Sequence, residues 1–415
     1  MRLLHTSDWH LGQTLHNFER GYEHQCFLDW LLETAVAERA DALLVAGDVF
    51  DNANPSSASQ KQLYRFLQQA RQRLPQLNLV IVAGNHDSPG RLEAPGPLLE
   101  AHNTHVIGHA ARDADGAIDL ERLVLPLTDR DGAVHAWCLA IPFLRPGDVP
   151  RPPDLGEGQD PYLAGIALLY RQAMALAVAR RRPGQAIVAM GHCHMVGGEM
   201  SNDSERRIVV GGTEMLPSGI FEPGLAYAAL GHLHLAQAVG RQQHIRYSGS
   251  PIPLSFAEVG YRHQIVRVDL DGDNPARIAP LPVPRAVALL RVPPKPAPLA
   301  EVLLALAALE PDPCAEQAWP FLEVRVLLDA PEPGLRARIE AALEGKRLRL
   351  AKIDTASAAR RGPAEPALTL DQLGQLQPDD IFRRLYQQRF GGEAPAEQLR
   401  AFGELMITGA ALPNR

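Results

Sequence analysis

The chain has few cysteines and none in pairs: Cys26, Cys138, Cys193 and Cys314 are scattered and form no CxxC motif. That excludes a disulfide framework and a cysteine-built zinc site, and the four read as reduced thiols. No apolar run approaches the roughly 20 residues that cross a bilayer, so no membrane anchor is expected. The N-terminus, MRLLHTSDWH, enters polar sequence at once, without the apolar core and small-residue cleavage site of a signal peptide. A cytoplasmic protein is expected. Positive charge is also scarce, with 41 Lys and Arg against 48 Asp and Glu and a formal net charge of -7. Affinity for nucleic acid depends on neutralising phosphates with Lys and Arg, so any DNA contact must use local basic patches, bound metals or a partner. No GxxxxGK followed by Ser or Thr occurs. The chain is therefore not expected to hydrolyse ATP unaided.

What is present describes a globular protein: 415 residues, 46% hydrophobic and 21% charged. At ~100 to 200 residues per domain, two or three domains are expected. Short apolar runs alternate with helical patterns over the first 270 or so residues, which predicts strands interleaved with helices around a sheet. The expected strands are Arg2 to His5, Ala42 to Val45, Leu79 to Val82, Ala186 to Ala189, Tyr227 to Leu230 and Gln264 to Val268. Apolar spacing of three and four predicts helices over Gln25 to Arg39, Ala58 to Arg73 and Ala164 to Arg181. Val124 to Phe143 alternates about Asp129 to Gly132 and predicts a hairpin.

Composition shifts near Asp271, where DGDNP gives way to proline-rich APLPVP and RVPPKPAP. A domain boundary is expected there, giving units 1–275, 283–355 and 367–415. The middle unit reads strand Val287 to Val292, helix Leu299 to Leu309, strand Phe321 to Leu328, helix Leu335 to Leu343 and strand Leu348 to Ile353, a small α/β cap. Beyond a linker at Ala356 to Pro366, Ile381, Phe382, Leu385, Tyr386 and Phe390 form an apolar stripe on one helix, with a second helical pattern over Ala396 to Leu405. A terminal helix pair has little core of its own, so this stripe is a candidate docking surface.

Five polar clusters follow apolar strands: SDWH, GDVFD, GNHD, GHCH and GHLH. Ligands collect at the carboxyl ends of strands in open α/β sheets, so the clusters can converge on one site. Asp8, His10, Asp48, Asn85, His192, His232 and His234 make a mixed oxygen and nitrogen set suited to Mn²⁺, Fe or Zn²⁺. Seven ligands exceed one ion's needs, yet serve two ions about 3.5 to 4 Å apart if one carboxylate bridges them, and Asp48 is the natural bridge. Two aspartates against two divalent ions leave positive charge that an anionic phosphate would match. His86, next to Asn85, is the candidate proton donor for a leaving oxygen. His194 and Cys193 read as packing beside the site, and His5, His16 and His24 as structural.

In this order the motifs DxH, GDxxD, GNHD, GH and GHxH resemble the calcineurin-like metallophosphoesterase superfamily. HTSDWHLGQ, AGDVFD, GNHDS, LGHLH and YSGSPIPLSF narrow the resemblance to its bacterial SbcD nuclease branch, over essentially the whole chain. The resemblance implies a metallophosphoesterase β-sandwich flanked by helices, with a DNA-facing cap and a C-terminal helix pair. It implies one ion on Asp8, His10, Asp48 and His234, a second on Asp48, Asn85, His192 and His232, and Mn²⁺ as the metal. His86 would assist the leaving group or transition state. Asp51 stands where some relatives place a histidine; it joins His86 as a candidate catalytic residue with its part open. The implied partners are DNA, an SbcC-type coiled-coil ATPase on the C-terminal helices, and a second copy in a homodimer. The implied activity is exonuclease on duplex ends and endonuclease on single strands, in DNA repair, replication and recombination. Two other readings remain, a small-molecule phosphomonoesterase or phosphodiesterase and a catalytically dead scaffold; the scaffold predicts missing ligands, and none is missing.

Overall fold

The apolar runs form strands in the order that the alternation predicts. In the computed structural model, β1 (Arg2–Thr6) precedes a small ribbon, β2 (Thr14–Leu15) and β3 (Phe18–Glu19). Next come α1 (Gly21–Ala37), β4 (Ala42–Ala46), α2 (Ser57–Arg73), β5 (Asn78–Val82), α3 (Pro89–Glu93), α4 (Gly96–Leu99) and β6 (Thr104–Ile107). The chain continues through β7 (Val124–Thr128), β8 (Val134–Ala140), α5 (Pro161–Arg180), β9 (Ala186–His192) and β10 (Tyr227–Gly231). It then runs through β11 (Gln237–Val239), β12 (Gln242–Tyr247), β13 (Gln264–Asp269) and β14 (Arg277–Pro282). The structure describes residues 1–99, 103–153, 155–156, 159–199, 215–221, 223–240, 242–272, 274, 276–330, 332–357, 382–383, 385–387, 391–395, 397–400 and 402.

Two six-stranded sheets result, ordered β14-β13-β1-β4-β5-β6 and β11-β12-β10-β9-β8-β7. Strands β1, β4, β5 and β6 run parallel, as do β8, β9, β10 and β12. The central strands β1, β4 and β5 of the first sheet are buried on both faces, which is why they read as continuous apolar runs. Leu3, Ala42, Leu44, Val80 and Val82 face the second sheet in one core. Their neighbours Leu4, Leu43, Val45, Leu79 and Ile81 face Phe27, Leu31, Phe66 and Leu67 of α1 and α2. Each Leu, Val, Ile or Phe among them contributes on the order of 1.5–3 kcal/mol by leaving water. Ser56 starts α2 by accepting the Ser59 N–H (3.1 Å), and Asp160 starts α5 by accepting from Tyr162 (2.8 Å).

Helix α5 departs from the expectation that nothing in the chain could span a bilayer. Its 20 residues and mean hydropathy of 1.4 meet that criterion of length and composition. Packing accounts for its apolarity: Ile166, Leu169, Tyr170, Ala173, Met174 and Ala177 are buried against the second sheet.

The proline-rich passage differs from its sequence reading. Its first part forms β14, an edge strand that extends the first sheet past the expected boundary at 275. Pro280 and Pro282 pair with Val266 and Gln264, two residues apart in register. Their nitrogens, which carry no hydrogen to donate, therefore both face the open edge. The chain divides into two compact units, Met1–Leu290 with Pro311–Leu322 and Arg347–Ala351, and Arg291–Glu310 with Glu323–Lys346 and Lys352–Arg415. Strands β15 (Leu289–Pro298), β16 (Phe321–Leu328) and β17 (Arg349–Ser357) form a three-stranded sheet, with helices α6 (Leu299–Ala307) and α7 (Leu335–Ala342) between them in sequence. β15 runs on through the second proline cluster, again at a sheet edge. In the second unit Val302, Leu306, Val324, Val326 and Ile339 are fully buried.

Candidate metal centre

The five clusters meet because β1, β4 and β5 of one sheet and β9 and β10 of the other end at the same edge of the sandwich. Asp8 N–H donates to the Gly47 carbonyl (3.0 Å) and His10 N–H to the Asp48 carbonyl (3.0 Å), joining the loops after β1 and β4. His86 N–H donates to Asp48 Oδ1 (2.9 Å), bringing in the loop after β5. His232 N–H donates to Asp8 Oδ1 (2.9 Å), bringing in the loop after β10.

The backbone is strained where these side chains gather. Asp8, His10, Asp48 and His232 have φ of 54°, 47°, 50° and 103°. Non-glycine residues rarely adopt this region, and such outliers cluster at functional sites. Close approach also requires glycine in the motifs: a Cβ on Gly84 would collide with the Asp48 carboxylate, and one on Gly231 with the Ala46 carbonyl.

All seven residues proposed as ligands from the sequence are brought together. Asp8, His10, Asp48, His192, His232 and His234 are buried and Asn85 is half-buried. His192 Nε2 lies 2.9 Å from Asn85 Oδ1 and 3.4 Å from Asp48 Oδ2. His232 Nδ1 lies 3.1 Å from the same Asn85 oxygen, and His10 Nε2 lies 3.6 Å from Asp48 Oδ2. Potential ligand atoms of Asp8, His10 and His234 lie within 4.8 Å of one another, as do those of Asp8, Asp48 and His192 and those of His10, Asp48 and His86.

These residues fit divalent ions. Donors about 2.1 Å from one ion stand about 3.0–3.4 Å apart at octahedral or tetrahedral angles, close to the spacings found here. His10 Nε2 and His232 Nε2 are buried without a hydrogen-bond partner. Orphaned buried imidazole nitrogens are costly unless something accepts their lone pairs. The electrostatics are those of a cluster that wants a cation: burial pushes the Asp8 carboxyl up, against the pull of His192 and His234. Burial also pushes Asp48 up, but the charges of His192, His10 and His86 outweigh it and hold this carboxyl well below the usual range. His192 is raised to about 9, where Asp48 overcomes the opposing effect of burial, whereas His232 is driven far down by burial and by His192.

The two candidate catalytic residues sit at the rim. His86 Nδ1 donates to the Asp51 carbonyl (2.7 Å), and its ring lies edge-on to His10 with centroids 4.8 Å apart. The Asp51 carboxylate lies 3.3 Å from His10 Nδ1. His194 is buried beside His232, with ring centroids 6.1 Å apart, and Cys193 is half-buried and free. His5 is held by the Tyr227 hydroxyl (2.9 Å) and the Leu230 carbonyl (3.2 Å) under the sheet. In the expected docking stripe, Phe382 stacks on Phe402 at 4.6 Å and lies 6.2 Å from Tyr386, while Leu385 is exposed. Ile381 and Phe390 lie outside the described residues.

Sequence reasoning missed the residues behind these ligands. Asp87, last in GNHD, is buried and accepts the N–H groups of Gly84 (2.8 Å), Phe50 (2.9 Å) and Val49 (3.1 Å), locking the β5 loop to the β4 loop. Ser248 Oγ meets Ser7 Oγ at 2.8 Å, and Ser7 Oγ in turn donates to Asp8 Oδ2 at 2.5 Å. Glu258 Oε1 lies 2.9 Å from His234 Nδ1. Asp87, Ser7 and Ser248 lie in segments that the sequence singled out, GNHD, SDWH and YSGSPIPLSF, whereas Glu258 lies in none.

Comparison with known proteins agrees with this geometry. The family model for calcineurin-like phosphoesterases matches residues 1–236, and a model described as the type 5 capsule protein repressor C-terminal domain (SbcD_C) matches residues 285–390. The chain is 42% identical over 390 residues to the SbcD subunit of the SbcCD nuclease of Rhodobacter capsulatus, covering 92% of this chain and 93% of that protein. The Escherichia coli K12 counterpart is 43% identical over 267 residues, 63% of this chain and 62% of its own length. The Bacillus subtilis counterpart is 34% identical over 278 residues, 65% and 66%. With one relative matched over more than nine-tenths of both chains and the phosphoesterase model spanning more than half the sequence, the chain belongs to the SbcD family of calcineurin-like phosphoesterases.

Proposed function

We propose that this chain is the metal-dependent nuclease subunit of an SbcCD-type complex and hydrolyses phosphodiester bonds at DNA ends. The observation that carries the reading is the convergence of seven oxygen- and nitrogen-bearing side chains on one sandwich edge, in a chain 42% identical to a nuclease subunit over 92% of its length. One ion would be held by Asp8, His10, Asp48 and His234, the other by Asp48, Asn85, His192 and His232, with Mn²⁺ the preferred metal. Bound there, two divalent ions supply an activated water and neutralise charge on the phosphodiester.

The chain's own residues do the rest. Asp48 orients both halves of the site, fixed by the His86 N–H at one oxygen. His86, its Nδ1 proton engaged by the Asp51 carbonyl, keeps Nε2 for holding a proton and passing it to the leaving oxygen. The Asp51 carboxylate turns His10 by accepting from Nδ1, a positioning part rather than a proton-transfer one. Residues 1–275, with β14 completing their first sheet, would carry the nuclease, 283–355 a DNA-facing cap, and 367–415 the docking helices. There Ile381, Phe382, Leu385, Tyr386 and Phe390 would receive an SbcC-type coiled-coil ATPase, which also supplies the ATP dependence the chain lacks. The assembly would be a homodimer working in the cytoplasm, at the nucleoid, in DNA repair, replication and recombination.

A digest of 5′- and 3′-labelled duplex DNA with Mn²⁺, alone and with the ATPase, tests the reading. Release of nucleotides from an end supports it; faster turnover of small phosphate esters than of DNA would replace it with a small-molecule phosphoesterase.

A further inference from the structure

We propose that Glu258 is the positioning residue for His234, and that the segment from Tyr247 to Gly260 serves to deliver it. The inference rests on the two-ion reading of the site. Glu258 is fully buried, and each of its oxygens is assigned. Oε1 lies 2.9 Å from His234 Nδ1, while Oε2 accepts the Leu254 N–H at 2.8 Å and the Ser250 hydroxyl at 3.4 Å. As an ionised carboxylate Glu258 can only accept, which sets the His234 hydrogen on Nδ1. Its Nε2 then presents a lone pair to the cluster with Asp8 and His10.

The surrounding chain is built to hold this contact. Ser250 N–H donates to the His234 carbonyl (3.1 Å), tying the loop to the ligand's own backbone. Gly249, at φ 76°, lets that approach happen, since a Cβ there would lie 2.6 Å from the same carbonyl. Ser255 Oγ accepts the Ala257 N–H (3.2 Å) and starts the single turn, Phe256–Gly260, that aims Glu258 inward. A buried carboxylate on the far nitrogen of a metal-binding histidine fixes its tautomer and raises its basicity.

Glu258→Gln tests this, because it preserves size but places an amide where the carboxylate stood. With its one oxygen kept by the Leu254 N–H, the amide NH₂ faces His234 and donates to Nδ1, moving the histidine hydrogen to Nε2. The readout is the tautomer of His234 in the metal-free full-length chain, by long-range ¹H–¹⁵N correlation on histidine-labelled protein. Nδ1–H in the wild type and Nε2–H in the variant is expected, with a Mn²⁺ affinity about 10- to 100-fold weaker by calorimetry. Wild-type His234 protonated on Nε2 overturns the proposal, as does unchanged tautomer and unchanged Mn²⁺ affinity in the variant. Should the variant not fold, the wild-type tautomer alone decides. A wild type that binds no metal while His234 carries Nδ1–H refutes the two-ion reading and leaves the Glu258 contact standing.

Discussion

Replacing Arg20 by Met should be among the most destabilising single changes in this chain, although nothing about FERGYE marks Arg20 as special. Arg20 and Glu23 are 1% and 3% exposed. Arg20 Nε donates to Glu23 Oε2 at 2.7 Å, Nη2 donates to Oε1, and Nη1 reaches Gln13 Oε1 (3.1 Å) and the Pro253 carbonyl (2.5 Å). The guanidinium thus ties α1 to the loop that carries Glu258. Arg20→Met strands a buried carboxylate, which costs about 3–5 kcal/mol. The double variant Arg20→Met/Glu23→Met strands no charge and leaves mainly the Pro253 carbonyl short of a donor, about 1–3 kcal/mol. A double-mutant cycle by urea denaturation of the metal-free protein, followed by tryptophan fluorescence, should therefore give at least about 2 kcal/mol of coupling. A loss under about 1 kcal/mol for Arg20→Met, or a double variant as unstable as the two singles summed, refutes the argument.

Further outcomes follow from the site and its supports. His86→Ala should lose cleavage while still binding two ions; loss of an ion by calorimetry would make His86 a ligand, as its place beside His10 and Asp48 also allows. His5, buried and lowered from 6.5 to about 3, makes stability depend on pH. The unfolded chain takes up this proton below 6.5 and the folded chain does not until about 3. Stability is thus complete above 6.5 and falls through that window by on the order of 4–5 kcal/mol. His5→Gln should remove one proton from the uptake on unfolding between pH 6 and 4, and an unchanged uptake would show that His5 titrates normally. Ending the chain after Pro366 should spare cleavage of simple phosphodiesters and abolish co-elution with the ATPase; continued co-elution would disprove docking on the C-terminal helices.

The strands and the convergence of the clusters that follow them were legible for one physical reason. A strand buried on both faces is a short apolar run, and a parallel strand delivers whatever follows it to the same edge, so LLHT, ALLVA, LVIVA and YAAL announced their clusters. The boundary was set too early at APLPVP, because an edge strand tolerates prolines in alternate register as well as a boundary segment does. The supports of the site were not legible. Glu258 is 24 residues from His234 in sequence and Arg20 is 233 from Pro253, and neither residue type predicts burial. Asp87 stood in full view in GNHD, yet only the structure shows that it accepts three backbone N–H groups and locks two loops together.

Asp48 is the residue on which both ion positions depend, so the most direct measurement pairs Mn²⁺ titration with a labelled-DNA digest of wild type and Asp48→Asn. Two Mn²⁺ per wild-type chain and cleavage that a chelator abolishes are expected. Asp48→Asn should bind at most one ion and, with several kcal/mol of charge stabilisation gone, cleave about 10³-fold more slowly or worse. A metal-loaded wild type that leaves DNA intact, or an Asp48→Asn variant that binds two ions and cleaves at the wild-type rate, would contradict it.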